Sequence, residues 1–99
     1  MNGMTAVQKL QNYLGKNRID AYYVSNPANV RYISRYTGDD STLLITQKTL
    51  YFITDPRYTE QAAAECPEYT LVNGRAKGGP GKTLAGLTEE NHLKTIAFE

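Results

Sequence analysis

Residues 42–54 read TLLITQKTLYFIT, a stretch with a clear strand pattern. It contains two runs of apolar and β-branched residues, 42–46 and 50–54, which are the side chains most favoured in strands. The three polar residues between them, 47–49, form a connection short enough for a hairpin. The stretch therefore predicts two antiparallel strands joined by a tight turn.

The residues that follow the hairpin predict a helix over residues 57–66. Asp55 is a favoured N-cap residue, and Pro56 takes the first helical position, where its missing N–H costs no hydrogen bond. Small alanines in the middle of this segment allow close packing, and Pro67 stops the helix. The hairpin is therefore expected to run directly into a helix.

Two further helices are predicted before the hairpin. Asn26 followed by proline repeats the cap-and-proline signal and predicts a helix over Pro27–Ser34. Residues 5–8 have the Thr-x-x-Gln spacing of a capping box, and they predict a helix that ends at 15–17. Its apolar residues recur at helical spacing, at Val7, Leu10 and Leu14.

Three strands and one helix complete the predicted elements. Residues 19–25 are rich in aromatic and β-branched side chains and predict a strand inside the sheet. Residues 69–72 and 94–98 predict two shorter strands. Between them, 73–81 contains four glycines and one proline and predicts a loop, whereas 82–90 predicts a helix.

Strands and helices alternate along the chain, with one hairpin inserted, and this order predicts an α/β domain. The expected architecture is a mixed sheet with helices on both faces. A length of 99 residues fits one domain. Because the last predicted strand, 94–98, ends the sequence, we expect an exposed sheet edge that favours self-association.

The composition argues against several classes of function. Eleven basic and ten acidic residues leave a net charge of +1, so no basic excess indicates nucleic acid. The single cysteine, Cys66, forms no internal disulfide and suits a reducing cytoplasm. Residues 1–4 do not begin a signal peptide, and no apolar run approaches the length of a membrane span. We therefore expect a soluble cytoplasmic protein.

Several segments, taken in their order and spacing, resemble the N-terminal domain of the creatinase/prolidase family. The segments are IDAYYV at 19–24, PANVRYI at 27–33, YTGDDSTLLIT at 36–46, TDPRYTEQA at 54–62 and KTIAFE at 94–99. The Asp-x-Arg-Tyr-x-x-Gln-Ala run that begins at Asp55 is the most specific of them. Two residues, Arg35 and Pro56, stand where relatives often have glycine.

This resemblance implies a ribonuclease-H-like sheet, with 1–99 forming part of the domain and one more helix and strand completing it. In the family a larger catalytic "pitta-bread" domain follows, which hydrolyses the bond before proline. Two divalent metal ions (manganese, cobalt or zinc) are held there by Asp, His and Glu. The catalytic domain is absent from residues 1–99, so no cofactor is expected in this chain.

The implied role of the chain is therefore non-catalytic. It would cover the active-site cleft of the catalytic domain, restrict it to short proline-containing peptides, and support a homodimer. An aminopeptidase, a dipeptidase and a creatinase-type amidinohydrolase all remain open as the parent protein. Fold alone does not decide among these chemistries.

Three side chains are candidates for substrate contact: Arg35, Tyr36 and Arg57. The first two lie on the polar loop 35–40, and binding residues are common on such loops. A solvent-exposed connection is an equal alternative for this loop. Arg57 faces the cleft in one interpretation; in the other, Asp55 only caps the helix and Arg57 pairs with a carboxylate.

The other reactive side chains are predicted to carry no catalytic function. His92 falls in a loop, and the adjacent Asp39 and Asp40 diverge in an extended segment, so neither pattern indicates a metal site. Cys66 follows Glu65 at a helix end, where we expect a raised thiol pKa and an inert side chain.

One motif supports an alternative function. Residues 76–83, AKGGPGKT, resemble a P-loop in which alanine replaces the first glycine. Such a loop would cradle a phosphate or nucleotide with backbone N–H groups and Lys82. Pro80 removes one donor, and no predicted strand runs directly into the motif, so a flexible loop is favoured. A stand-alone interaction domain is the remaining alternative.

Overall fold

The structure is a computed structural model that describes residues 4–99. Residues 1–3, part of the stretch in which no signal peptide is predicted, lie outside the described part. The elements are α1 (Ala6–Asn17), β1 (Ala21–Val24), α2 (Pro27–Ser34), β2 (Thr42–Thr46), β3 (Leu50–Thr54), a 3-10 turn (Pro56–Tyr58), α3 (Thr59–Glu65), β4 (Thr70–Asn73), α4 (Pro80–Glu90) and β5 (Ile96–Phe98).

The five strands form one sheet in the order β4-β3-β2-β1-β5. Strands β1, β2 and β3 are an antiparallel meander, while β4 pairs parallel to β3 and β5 pairs parallel to β1. The sheet is therefore mixed, as predicted. A meander with a parallel strand beside β1 is the ribonuclease-H-like arrangement that the resemblance implies.

Helices cover both faces of the sheet, which confirms the predicted fold class. Alternate side chains of each strand point to opposite faces. Leu43, Ile45 and Phe52 lie on one face and pack in a cluster with residues of α1, α2 and α3. Leu44 and Ile53 lie on the other face, in a cluster with residues of α4.

The two caps predicted near the N-terminus are confirmed. Thr5 Oγ1 accepts the Gln8 N–H at 3.2 Å, and Gln8 Oε1 accepts the Thr5 N–H at 2.9 Å, so α1 begins with a capping box. Asn26 Oδ1 accepts the Ala28 N–H at 2.9 Å at the start of α2. Local side-chain bonds to the backbone thus set where both helices begin.

The residue that follows the last strand also contacts the start of α2. One carboxylate oxygen of Glu99 accepts the N–H groups of Ser25 and Asn26, each at 2.6 Å, and the other accepts the Asn29 amide. Burial by itself would raise the pKa of Glu99, but these hydrogen bonds outweigh it and lower the pKa. Glu99 therefore connects the β5 edge to α2.

Two predicted helix boundaries are corrected. The helix predicted over 57–66 begins instead with the 3-10 turn Pro56–Tyr58 and continues as α3. The helix predicted over 82–90 begins at Pro80, since proline suits the first turn of a helix and Gly79 precedes it with a φ of 101°.

Strands β1 and β5 are shorter than predicted, and β4 is shifted by one residue to Thr70–Asn73. One reason lies in Asp20, whose carboxylate accepts the N–H groups of Lys94 and Thr95. These two N–H groups are bonded to a side chain, so regular strand pairing begins at Ile96. The same hydrogen bonds lower the pKa of Asp20.

Strand β5 is an edge strand, as expected. Phe98 on this strand is 59% exposed and contacts Tyr23 edge-on, with ring centroids 5.9 Å apart. Self-association through this edge stays a prediction. None of the described helices has the length and apolar character needed to cross a membrane.

Candidate functional site

An open cleft of about 360 Å³ lies where strands β3 and β4 end. Because the two strands are parallel, the loops that follow them emerge at the same edge of the sheet. Loops that follow parallel strands are common positions for binding residues. The residues of interest in the lining are Asp40, Asp55, Arg57, Gly74, Arg75 and Gly79.

Four charged side chains of the cleft form a chain of ion pairs. Arg57 Nε donates to Asp55 Oδ1 at 3.0 Å, and Arg57 Nη2 lies 3.6 Å from Asp40 Oδ2. Arg75 Nη1 lies 3.7 Å from Asp55 Oδ2. Two cations and two carboxylates thus connect three loops, although pairs this exposed add little stability individually.

Asp55 also accepts a backbone hydrogen bond, which holds its carboxylate in place among these ion pairs. Its Oδ1 accepts the Arg57 N–H at 2.9 Å and caps the 3-10 turn. That backbone bond is the largest cause that lowers the pKa of Asp55, and the Arg57 and Arg75 guanidinium groups lower it further. The capping interpretation of Asp55 is therefore confirmed.

Arg57 lies in the cleft and also pairs with carboxylates, so its two interpretations are compatible. The side chain is 64% exposed, and its guanidinium lies 5.2 Å from the centre of the Tyr58 ring. Tyr58 itself is half-buried against the core. One face of the Arg57 guanidinium is thus held by the protein while the side chain stays open to solvent.

The structure contradicts a surface role for Tyr36. Its side chain is 1% exposed and packs edge-on against Phe52, with ring centroids 4.8 Å apart. A Cβ added at Gly38 would overlap the Tyr36 ring, so the loop lies directly on the aromatic core. Burial raises the pKa of Tyr36, and its hydroxyl has no hydrogen-bond partner among residues 4–99. Tyr36 is a core residue because its ring fills the space beside Phe52.

Arg35 is exposed but lies away from the cleft. It is the C-cap of α2 and has a left-handed backbone, with φ 66°. Its side chain lines a groove shared with α1 instead. The structure therefore does not bring Arg35 and Arg57 together in one site.

The loop that contains these residues is anchored to α3. Glu65 accepts the Thr37 N–H at 2.8 Å and the Thr37 hydroxyl, and it also accepts the Gln61 amide at 3.0 Å. The Thr37 N–H is the largest cause that lowers the pKa of Glu65. These bonds hold the start of the loop, so that Asp40 reaches Arg57.

The remaining reactive side chains do not form a catalytic set. Cys66 is buried, its thiol donates to the Ser34 carbonyl at 3.4 Å, and burial raises its pKa to about 11, as expected. His92 is exposed in the turn after α4, and Asp40 pairs with Arg57. Within residues 4–99, no three His, Cys, Asp or Glu side chains converge, so they do not fit the two-metal site of the family.

Several backbone N–H groups of the P-loop-like segment already donate hydrogen bonds within the protein. The N–H groups of Ala76, Gly78 and Gly79 donate to acceptors within residues 73–75, at 3.0–3.2 Å. The Thr83 hydroxyl is buried and donates to the Gly79 carbonyl at 2.7 Å. The N–H groups of Ala76, Gly78 and Gly79 are therefore not free to bind a phosphate, which argues against the nucleotide alternative.

Asp40 and Arg75 are the cleft residues that sequence reasoning missed. Asp40 has a left-handed φ of 54°, so the segment turns there and is not extended as predicted, and its Oδ2 lies 3.6 Å from Arg57 Nη2. Arg75 falls in the segment 73–81, which the sequence predicts only as a loop. The parallel pairing of β3 with β4 would have placed Arg75 beside Asp55, and no sequence pattern reveals that pairing.

This fold, an α/β domain with an antiparallel meander between parallel edge strands, defines a class that also appears in known proteins. Residues 7–99 match the model of the Creatinase/Prolidase N-terminal domain. The chain therefore belongs to the creatinase/prolidase N-terminal domain family.

Individual relatives agree with this family. The chain is 32% identical over 93 residues to the uncharacterised peptidase YqhT of Bacillus subtilis (strain 168), covering 94% of the chain and 26% of the relative. The N-terminal domain of the cytoplasmic peptidase PepQ from Mycobacterium tuberculosis H37Rv has a TM-score of 0.81 and 32% identity, covering 94% of this chain and 71% of that one. The X-Pro aminopeptidase from Thermotoga maritima MSB8 has a TM-score of 0.82 and 30% identity, covering 97% of this chain and 27% of that one. The chain thus spans about a quarter of the length of YqhT and of the Thermotoga enzyme.

Proposed function

We propose that the chain is the non-catalytic N-terminal domain of a proline-specific metallopeptidase, an Xaa-Pro aminopeptidase or dipeptidase. The observation that carries this proposal is the family match over residues 7–99. It is supported by the same fold in an X-Pro aminopeptidase, where the matched region is 27% of the enzyme. On this proposal the two divalent metal ions and their ligands belong to the catalytic domain of the same protein.

The domain would act on catalysis by covering the active-site cleft, which restricts the enzyme to short peptides, and by supporting a homodimer. Arg57 is the residue that we assign to substrate contact. It is exposed in an open cleft, and a guanidinium binds a peptide carboxylate through two parallel hydrogen bonds. Neither Tyr36, which is buried, nor Arg35, which lines another groove, shares this position.

A soluble cytoplasmic enzyme is part of the same proposal. Cys66 is a buried free thiol, which suits a reducing compartment. The matched PepQ protein is described as a cytoplasmic peptidase. Cell fractionation with an antibody against the protein would test this location.

The test begins with the coding sequence after the codon for Glu99. We expect a catalytic domain there that contains the two Asp, one His and two Glu ligands. The full-length protein with Mn²⁺ should hydrolyse an Xaa-Pro dipeptide or tripeptide, whereas the purified 99-residue chain should not. A reading frame that stops at Glu99, or metal-dependent turnover by the 99-residue chain, would contradict the proposal.

Variants of the full-length enzyme isolate the role of Arg57. We expect Arg57→Ala to raise KM by about tenfold or more, since a hydrogen bond to a charged group is worth about 1.5–3 kcal/mol. The KM of Arg57→Lys should lie between those of the wild type and Arg57→Ala, because lysine keeps the charge without the bidentate geometry. Arg35→Ala is the matched control and should leave KM unchanged. Equal effects of Arg57→Ala and Arg35→Ala would remove Arg57 from the substrate site.

A further inference from the structure

A second groove, of about 570 Å³, lies between the start of α1 and the end of α2. Its charged lining consists of three cations, Lys9, Arg31 and Arg35. Two large apolar side chains join them: Met4 is 50% exposed and Tyr32 is 70% exposed. Exposed arginine, tyrosine and methionine side chains in a concavity are the composition typical of a protein interface.

The two helices that form the groove carry only positive charges. Residues 5–18 and 26–35, the two helices with their caps, contain five of the chain's eleven basic residues and no Asp or Glu. The other residues carry ten acidic and six basic side chains. The near-neutral total therefore conceals a positive region formed by α1 and α2.

The cations of the groove are also not neutralised by the protein. Among residues 4–99, no carboxylate lies within 4.0 Å of a charged nitrogen of Lys9, Arg31 or Arg35. Glu99 contacts α2, but at the opposite end of the helix from Arg35. The positive potential of the groove is thus available to a binding partner.

Arg35 occupies a backbone position where glycine would be unstrained. Its φ of 66° is left-handed, and its N–H donates to the Arg31 carbonyl at 2.8 Å to end α2. The side chain of Arg35, four residues after Arg31, adds a second guanidinium to the lining of the groove. The left-handed C-cap of α2 therefore adds a third positive charge to the groove.

We propose that the α1–α2 groove is a docking surface for an acidic segment of a partner protein, one that carries several carboxylates and an apolar side chain. Charge complementarity identifies the carboxylates, and the exposed Met4 and Tyr32 identify the apolar residue. A concave groove with three cations accommodates a polypeptide segment. A nucleic-acid duplex or a lipid surface would instead require a longer basic strip.

The experiment uses the 99-residue chain labelled with ¹⁵N and the hexapeptide acetyl-EELEEL-amide as the acidic probe. In NMR titrations at low salt, we expect amide shifts centred on residues 4–9 and 31–35, with a dissociation constant below about 1 mM. Raising the ionic strength should weaken binding, because exposed charges are screened. The matched probe acetyl-QQLQQL-amide should bind at least tenfold more weakly.

Charge variants decide whether the groove is responsible. Arg31→Gln, on the exposed face of α2, should raise the dissociation constant of the acidic peptide by about threefold. The double variant Arg31→Glu/Arg35→Glu should raise it by more than about tenfold. Lys16→Glu/Arg18→Glu makes the same charge change at the other end of α1, and it should change the dissociation constant by less than twofold. Circular dichroism checks that each variant folds; if the double variant does not, Arg31→Gln carries the comparison.

Three kinds of result would overturn the proposal: no binding, binding that is not specific to the groove, and preference for another class of ligand. One is an absence of shifts up to millimolar peptide. Another is a set of shifts centred on the Arg57 and Arg75 cleft, or an equal loss of binding in the control variant. The third is displacement of the peptide by a DNA duplex or by phosphatidylserine vesicles at lower concentration, which would assign the groove to a different class of partner.

Discussion

The cleft at the ends of β3 and β4 and the groove between α1 and α2 both expose arginines, yet they differ in how those charges are satisfied. In the cleft, Arg57 and Arg75 each lie within 4 Å of a carboxylate of the same chain. In the groove, Arg31 and Arg35 have no such partner among residues 4–99. The first arrangement holds loops together around an opening, whereas the second leaves charge for another molecule. Pairing, more than the number of arginines, distinguishes the two surfaces.

The largest expected effect comes from Gly38→Ala, which breaks the cleft and leaves the groove intact. The new methyl group would overlap the Tyr36 ring, and overpacking of a core costs about 1–3 kcal/mol. The free energy of unfolding should fall by about 2 kcal/mol, and the loop should carry Asp40 away from Arg57. Urea denaturation and the amide shifts of residues 55–58 measure the two effects.

Gly86→Ala is the matched control for this substitution. Gly86 lies inside α4, and a Cβ there meets no atom within 4 Å. Alanine is the better helix former, so stability should rise by about 0.5–1 kcal/mol. If Gly38→Ala were as stable as Gly86→Ala, the loop would not rest on the Tyr36 ring.

The next effect concerns pH and the charge on Asp55. Its pKa is lowered in the folded state, so its contribution to stability is complete above its ordinary pKa near 4 and is lost as the pH falls through the lowered value. Asn caps as well as Asp does. Asp55→Asn should therefore keep the cap but lose, at pH 7, the stability that the charge supplies, and its stability should fall by a correspondingly smaller amount below about pH 4. Asp55→Ala should lower the melting temperature by several degrees at pH 7 as well.

Thermal unfolding at pH 3 and at pH 7 measures this difference for the wild type and both variants. Asp20, Glu65 and Glu99 also have lowered pKa values, so some loss of stability in acid should remain in every variant. An unchanged pH dependence in Asp55→Asn would mean that the charge of Asp55 contributes nothing to the folded state, either through its bond to the Arg57 N–H or through its ion pairs.

The smallest effect tests the groove through Arg35→Gly. Glycine relieves the left-handed backbone, which costs a non-glycine residue about 1–2 kcal/mol, although its greater entropy in the unfolded chain offsets part of the gain. Stability should rise by about 0.5–1 kcal/mol while affinity for an acidic peptide falls. Arg18→Gly, at the left-handed cap of α1, should give the same stabilisation without the loss of binding.

Elements with local start signals were predictable from sequence. Helix α2 and strands β2 and β3 have the predicted bounds. Their signals, an N-cap, a proline and a polar turn, each depend on only a few neighbouring residues. The start of α4 was missed because the glycines around Pro80 suggested a loop, although proline at the first helical position is the same signal that identified α2.

Contacts between distant residues were not predictable from one sequence. The pair formed by Asp40 and Arg57 depends on the burial of Tyr36 beneath Gly38, and the position of Arg75 depends on the parallel pairing of β4 with β3. A single sequence specifies which face of a strand is apolar, but it does not specify which strand lies beside it. Arg57 and Asp55 were therefore found through their motif, while Asp40 and Arg75 were not.

Glu99 also determines when this fold can close during synthesis. Its carboxylate bonds Ser25 and Asn26, and β5 pairs with β1 across some 75 residues of chain. Contacts between such distant residues form slowly, because a long loop must close before they contribute. The meander β1–β3 consists of neighbours in sequence and can assemble while the ribosome is still translating. The bonds that join α2 to the sheet edge must wait until residue 99 has left the ribosome, so α2 lacks this anchor until β5 is available for pairing.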